Sequence, residues 1–176
     1  MKLYDAPRCP FCARVRIALA EKEIAYETVE VDLGNRPAWL YELNPLGKVP
    51  VLENGFVLPE SPVILEYLDE SHPDSPLLPA AVPDRARARL QVLRFDDQLG
   101  DAWYAFRRGE PSDVEQRLAA APVGESLFTD IAYAPWLLRA RELYGLELGP
   151  RVEEWLEESV QRPAFAAELD LVRSFA

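Results

Sequence analysis

Cysteine is nearly absent: the 176-residue chain holds two, Cys9 and Cys12. A loop that short does little to restrict an unfolded chain, so the pair points to redox or nucleophilic chemistry rather than to a structural disulfide. Histidine is scarcer still, with His72 standing alone and far from both cysteines. Zinc needs about four ligands, so these three donors predict no metal site. Basic residues are in deficit, 19 Lys and Arg against 30 Asp and Glu, and a net charge of -11 repels phosphate backbones. No nucleic acid is expected as a partner. No apolar run approaches the roughly 20 residues that cross a bilayer, so no membrane is expected either. The opening Met1-Lys2-Leu3-Tyr4-Asp5-Ala6-Pro7 lacks the apolar stretch and small-residue cleavage site of a secretory signal, and the expected compartment is the cytoplasm.

What is present is an ordinary globular composition, 49% hydrophobic and 28% charged, at a length that suits one large domain or two small ones. The first 75 residues alternate short apolar runs with turn residues. Lys2-Leu3-Tyr4 reads as a strand, followed by a turn at Ala6-Pro7. From Phe11 to Lys22, Val15, Ile17, Ala18 and Leu19 fall on one side of a helical repeat, with Arg14, Arg16, Glu21 and Lys22 elsewhere, which predicts an amphipathic helix. Tyr26, Thr28, Val29 and Val31 mark a strand, and Arg36 to Tyr41 a short helix that can carry Pro37 in its first turn. Asn54-Gly55 between the apolar runs Val49–Leu52 and Phe56–Leu58 predicts an antiparallel hairpin. Ser61 then serves as a helix N-cap, with Pro62 at the first helical position and the helix running to His72-Pro73. The predicted order is βαβαββα.

Proline crowds the stretch from Pro73 to Pro83, as in a linker between packed units. The predicted organisation is a first domain over 1–75, a linker over 76–83 and an all-helical domain over 84–176. In the latter, Ala88, Val92, Phe95, Leu99, Ala102 and Phe106 recur at steps of three and four and predict one long helix. Further helices are predicted over 112–121, 130–144 and 150–160, with Arg162-Pro163 as the stop of the last.

Three features carry chemistry. Cys9-Pro10-Phe11-Cys12 sits between the first strand and the first helix, where unpaired N–H groups and the helix dipole favour negative charge. A depressed thiol pKa is therefore expected at Cys9, with Arg8 adding to it. Cys9 is the candidate nucleophile, and Cys12, one turn inside the helix, could resolve a mixed disulfide. Val49-Pro50 can hold a cis bond that turns a backbone edge toward Cys9 for a peptide-like ligand, although a proline at a strand start is common. Glu60-Ser61 places a carboxylate and a hydroxyl at a helix start, suited to an amino acid's ammonium and carboxylate, and plain capping explains Ser61 equally well. Together they suit a cysteine-containing tripeptide.

The residues Cys9-Pro10-Phe11-Cys12, Asn44-Pro45-Leu46-Gly47-Lys48-Val49-Pro50-Val51-Leu52 and Glu60 to Glu70 resemble the glutathione transferase superfamily. Within it the chain is most similar to cysteine-based members, omega-type and bacterial glutaredoxin-like. The resemblance implies a thioredoxin-like α+β first domain with a mixed sheet and an all-α second domain. It also implies glutathione as cosubstrate, held by Phe11, Arg36, Val49, Glu60 and Ser61 beside Cys9, with Pro50 in the cis form. Asp130 to Leu137 and Arg162 to Phe165 resemble the family's core helix and ending. Two departures stand out: the helical domain is shorter than usual ahead of Asp130, and Leu127 occupies the usual capping position, leaving Ser126 to substitute with altered geometry.

The first functional expectation is an enzyme in which Cys9 attacks a glutathionyl mixed disulfide or an oxidised small substrate. A second is conjugation of glutathione to an electrophile held against Trp103, Tyr104 and Phe106, aromatics that more often build cores. A third is a non-catalytic binding protein like the stringent starvation protein A relatives, which share the fold and act on RNA polymerase. The family also implies a homodimer.

Overall fold

In the computed structural model, which describes residues 1–176, the chain separates into two units, Met1–Pro76 and Leu77–Ala176. The first is built on four short strands, β1 (Lys2–Asp5), β2 (Glu27–Glu30), β3 (Val51–Glu53) and β4 (Val57–Pro59), in the spatial order β2-β1-β3-β4. β1 runs parallel to β2 and antiparallel to β3, and β3 pairs antiparallel with β4 across the Asn54-Gly55 turn. The parallel pair requires a crossover, supplied by α1 (Pro10–Glu21). α2 (Ala38–Leu43) and α3 (Ser61–Ser71) complete the mixed-sheet, thioredoxin-like βαβαββα order that the sequence predicts.

Three local expectations are corrected. α1 is not simply amphipathic: Cys12, Ala13, Arg14, Val15, Ile17, Ala18 and Leu19 are all buried, so Arg14 faces protein rather than water. Ser61 is not an N-cap; Glu60 holds that position, Ser61 is the first helical residue, and no side chain caps the helix. Pro37 is likewise the N-cap of α2 rather than a residue inside it.

Lys22 shows how this unit satisfies a buried charge. Its side chain is fully enclosed, and the ammonium lies 3.2 Å from Asp69 Oδ1 while donating to the carbonyls of His72 at 2.9 Å and Ser75 at 2.6 Å. Three acceptors for three protons compensate the lost hydration, and they pin the end of α3 to the end of α1.

The second unit is helical: α4 (Val82–Leu93), α5 (Asp101–Arg107), α6 (Val114–Ala119), α7 (Leu127–Tyr144), α8 (Pro150–Ser159) and α9 (Pro163–Arg173). The long helix predicted through Phe106 is interrupted, because a π-helical turn over Asp96–Gly100 separates α4 from α5. Pro163 does not end the chain's helices; it opens α9, where its missing N–H costs nothing in the first turn. Ser126 caps α7 in the ordinary way, its Oγ accepting from Thr129 N at 3.2 Å, so the altered geometry expected around Leu127 does not arise. α7 is the buried centre of this unit, every residue from Ile131 to Ala140 lying inside. Arg139 within it donates to Pro135 O at 2.8 Å and pairs with Glu168 of α9 at 3.1 Å. No helix is long and apolar enough to cross a membrane.

Candidate functional site

β1 delivers the chain to its C-terminal edge, where Ala6 O accepts from Cys9 N at 2.8 Å and sets the turn into α1. Cys9 is the N-cap of α1, with extended backbone and Pro10 next in line. The partial positive charge of the helix start therefore lies at this residue, while its sulfur caps none of the first-turn amides and donates instead to Val49 O. Cys9 is half-buried and Cys12 fully buried, and no disulfide joins them.

Their environments separate the two thiols. Burial pushes the Cys12 thiol well up, and the adjacent Cys9 sulfur and the Asp5 carboxylate push the same way. The Ala6 amide, donating to Cys12 Sγ at 3.5 Å, only partly offsets this. Cys12 is thus the thiol that keeps its proton. It belongs to a small apolar cluster with Ala6, Val31, Leu40 and Val49, against which Tyr4 and Cys9 pack.

Val49 brings the second feature to the first. The Val49–Pro50 peptide is cis, and Val49 O lies 3.9 Å from Cys9 Sγ. The β1–β3 ladder starts only at Val51, so the Val49 peptide groups fall outside the sheet's pairing. The loop ahead of it is shaped by Asn44, whose Oδ1 accepts from Leu46 N at 3.1 Å and whose Nδ2 donates to Lys48 O at 3.0 Å. Gly47 turns there with φ of 60°, against the ring of Tyr41, where a Cβ would come within 2.5 Å of a ring carbon.

A cleft of about 100 Å³ opens beside this edge, lined by Phe11, Asn44, Lys48, Val49, Pro50, Glu60 and Ser61. Five of the expected ligand-holding residues, Phe11, Val49, Pro50, Glu60 and Ser61, are therefore brought together, and Cys9 touches the rim through Val49. Arg36 is exposed on the segment before α2 and is not part of the lining. Asn44 and Lys48 are lining residues that the sequence reading quoted without assigning them a role. Lys48 is exposed and adds a cation to the rim. Glu60 holds φ of 72°, a left-handed conformation that costs a non-glycine residue on the order of 1–3 kcal/mol and recurs where a side chain must be aimed at a ligand.

Arg14 is the residue the sequence reading misplaced. It is 2% exposed, its guanidinium carbon lies 5.1 Å from the centre of the Phe11 ring, and its Nη1 donates to Ser61 Oγ at 3.4 Å. Of the aromatics suggested for an electrophile, Tyr104 and Phe106 are half-buried and Trp103 is enclosed. Trp103 is buried against Phe106 and Tyr144, with ring centres 6.2 and 5.5 Å away.

The glutathione S-transferase N-terminal domain family matches residues 3–76. Over 179 residues the chain is 35% identical to glutathione S-transferase U7 of Arabidopsis thaliana, spanning 89% of this chain and 78% of that protein. It is 34% identical over 176 residues to the stringent starvation protein A homolog of Histophilus somni, spanning 88% and 83%. The crystal structure of glutathione transferase Omega 1C from Trametes versicolor superimposes with a TM-score of 0.79 at 27% identity, covering 99% of this chain and 93% of that one. The chain belongs to the glutathione transferase superfamily.

Proposed function

We propose that the protein is a cysteine-type glutathione transferase that moves glutathionyl groups through Cys9. The observation that carries this reading is the position of the Cys9 thiol, at the start of α1 and 3.9 Å from the Val49 carbonyl on the wall of the cleft. Glutathione fits the donor set. The Val49 peptide edge, outside the sheet's ladder, suits its cysteinyl backbone, while Glu60 and Ser61 suit the ammonium and carboxylate of its γ-glutamyl end.

In the first step the Cys9 thiolate attacks the glutathionyl sulfur of a mixed disulfide. A Cys9–glutathione disulfide forms as the substrate S–S bond breaks, and the substrate leaves as a thiolate. In the second, the thiolate of a second glutathione attacks the glutathionyl sulfur, releasing oxidised glutathione and restoring the Cys9 thiolate. The net reaction consumes one free glutathione thiolate: the substrate leaves as its thiolate, and the glutathionyl group of the mixed disulfide leaves joined to that glutathione as oxidised glutathione. The buried, protonated Cys12 favours this one-thiol route over release by an internal disulfide.

The test is a transfer assay with glutathione and a small mixed disulfide. Wild type and Cys12→Ser are expected to be active, and Cys9→Ser to lose activity by at least about a hundredfold. An active Cys9→Ser would sink the reading. The likeness to the stringent starvation protein A homolog supports a second reading, a protein-binding role without catalysis. A wild type that neither transfers nor binds glutathione would establish that alternative as the better one.

A further inference from the structure

The geometry points to Arg14 as the positioning residue that aims the Ser61 hydroxyl proton at the γ-glutamyl carboxylate of glutathione. The inference rests on the reading of the cleft as a glutathione site. Arg14 is enclosed within the first unit, yet it reaches both walls of the cleft: its guanidinium lies over the ring of Phe11 on α1, and Nη1 donates to Ser61 Oγ at the start of α3.

A guanidinium has five donors and no acceptor, and it stays protonated at every pH a folded protein survives. The hydrogen bond to Ser61 therefore has a fixed direction, with Arg14 donating and the hydroxyl oxygen accepting. The hydroxyl hydrogen is consequently directed away from Arg14. Ser61 is a cleft-lining residue, so a ligand in the cleft can accept that hydrogen.

Ser61 thus offers the ligand a donor. A donor whose oxygen already accepts from a cation is polarised, which strengthens the bond it gives to a carboxylate. The same arrangement disfavours an ammonium at that point, because the Arg14 guanidinium beside it is already a cation. Glu60, held beside it at φ of 72°, supplies the complementary anion for the ammonium. The carboxylate and ammonium of one amino-acid end are thereby read by neighbouring residues with opposite preferences, and Arg14 fixes which reads which.

The experiment is a double-mutant cycle on glutathione affinity and transfer kinetics with Arg14→Met, Ser61→Ala and the double variant. Methionine retains apolar volume against Phe11. Each single change is expected to raise the glutathione Kd and KM about tenfold, the equivalent of one charge-assisted hydrogen bond, with kcat nearly unchanged. The double variant is expected to be no worse than Ser61→Ala alone. A glutathione analogue lacking the γ-glutamyl carboxylate should bind wild type weakly and be indifferent to Arg14→Met. Arg14→Lys, which keeps the charge and loses the planar fork, carries the same cycle if the methionine variant does not fold, and should lose affinity to a smaller degree.

Additive losses, or a fall in kcat with KM unchanged, would overturn the positioning role while leaving the glutathione reading intact. A wild type that does not bind glutathione would overturn both.

Discussion

Asp130 has a carboxyl pushed up to about 6, first by burial, against which the Gly124 amide, the Trp155 side chain and Arg162 act. Its Oδ1 accepts from Gly124 N at 2.7 Å. The unfolded reference is 3.8, so between the two values the folded chain holds more proton than the unfolded one. The contribution to stability is fully present below 3.8 and lost as pH rises through about 6. Subtracting the urea-unfolding free energies of Asp130→Asn from those of wild type should expose a decline across that window; a flat difference would refute it. Nothing in the sequence announces such a shift, because it comes from burial, which only the folded chain supplies. Arg14 teaches the same lesson. Helical periodicity put it among the polar residues of α1, but this helix is covered on nearly all sides, and a buried arginine has the same sequence signature as an exposed one. Cys9, Val49, Glu60 and Ser61 were legible because each stands at a punctuated junction, a helix start or a proline.

Among the elements, those with local punctuation were read directly from sequence. Asn54-Gly55 specified the hairpin, and helical periodicity from Phe11 and the Ser61-Pro62 pair located the starts of α1 and α3 to within a residue. The π turn at Asp96–Gly100 was not legible. One extra residue shifts the helical phase by about 100°, and over a single turn the spacing of Phe95, Leu99 and Ala102 still fits the ordinary repeat. α9 was missed because a proline that opens one helix also looks like the end of the previous one. Ser126 supplies the hydroxyl cap of α7, the most deeply enclosed helix. Replacing it with alanine should cost about 1 kcal/mol, measured as a lowered urea midpoint with unchanged slope. Because the cap stands apart from the Cys9 cleft in sequence and lies in the other unit, glutathione affinity should be unaffected.

Over the whole molecule, alternating patterns in the first unit and continuous helical repeats in the second made the architecture readable, since both follow from which residues must leave water. The division of the structure falls between Pro76 and Leu77. What could not be read was the cleft as a volume: Asn44, Lys48 and Arg14 gain meaning only when α1, α3 and the loop before β3 converge. The four tryptophans are unevenly shared between the units, with Trp39 in the first and Trp103, Trp136 and Trp155 in the second. Trp39 is 38% exposed beside Tyr4, whereas Trp103 and Trp136 are sealed. The protein therefore carries its own optical label. Acrylamide should quench a long-wavelength component of the emission that falls in Trp39→Phe, leaving the sealed indoles of Trp103 and Trp136 and the half-buried Trp155. Since α2 flanks the loop that forms the cleft, that component is a dye-free signal for titrating glutathione, and its failure to respond in a protein that binds the tripeptide would show that α2 is not touched by the event.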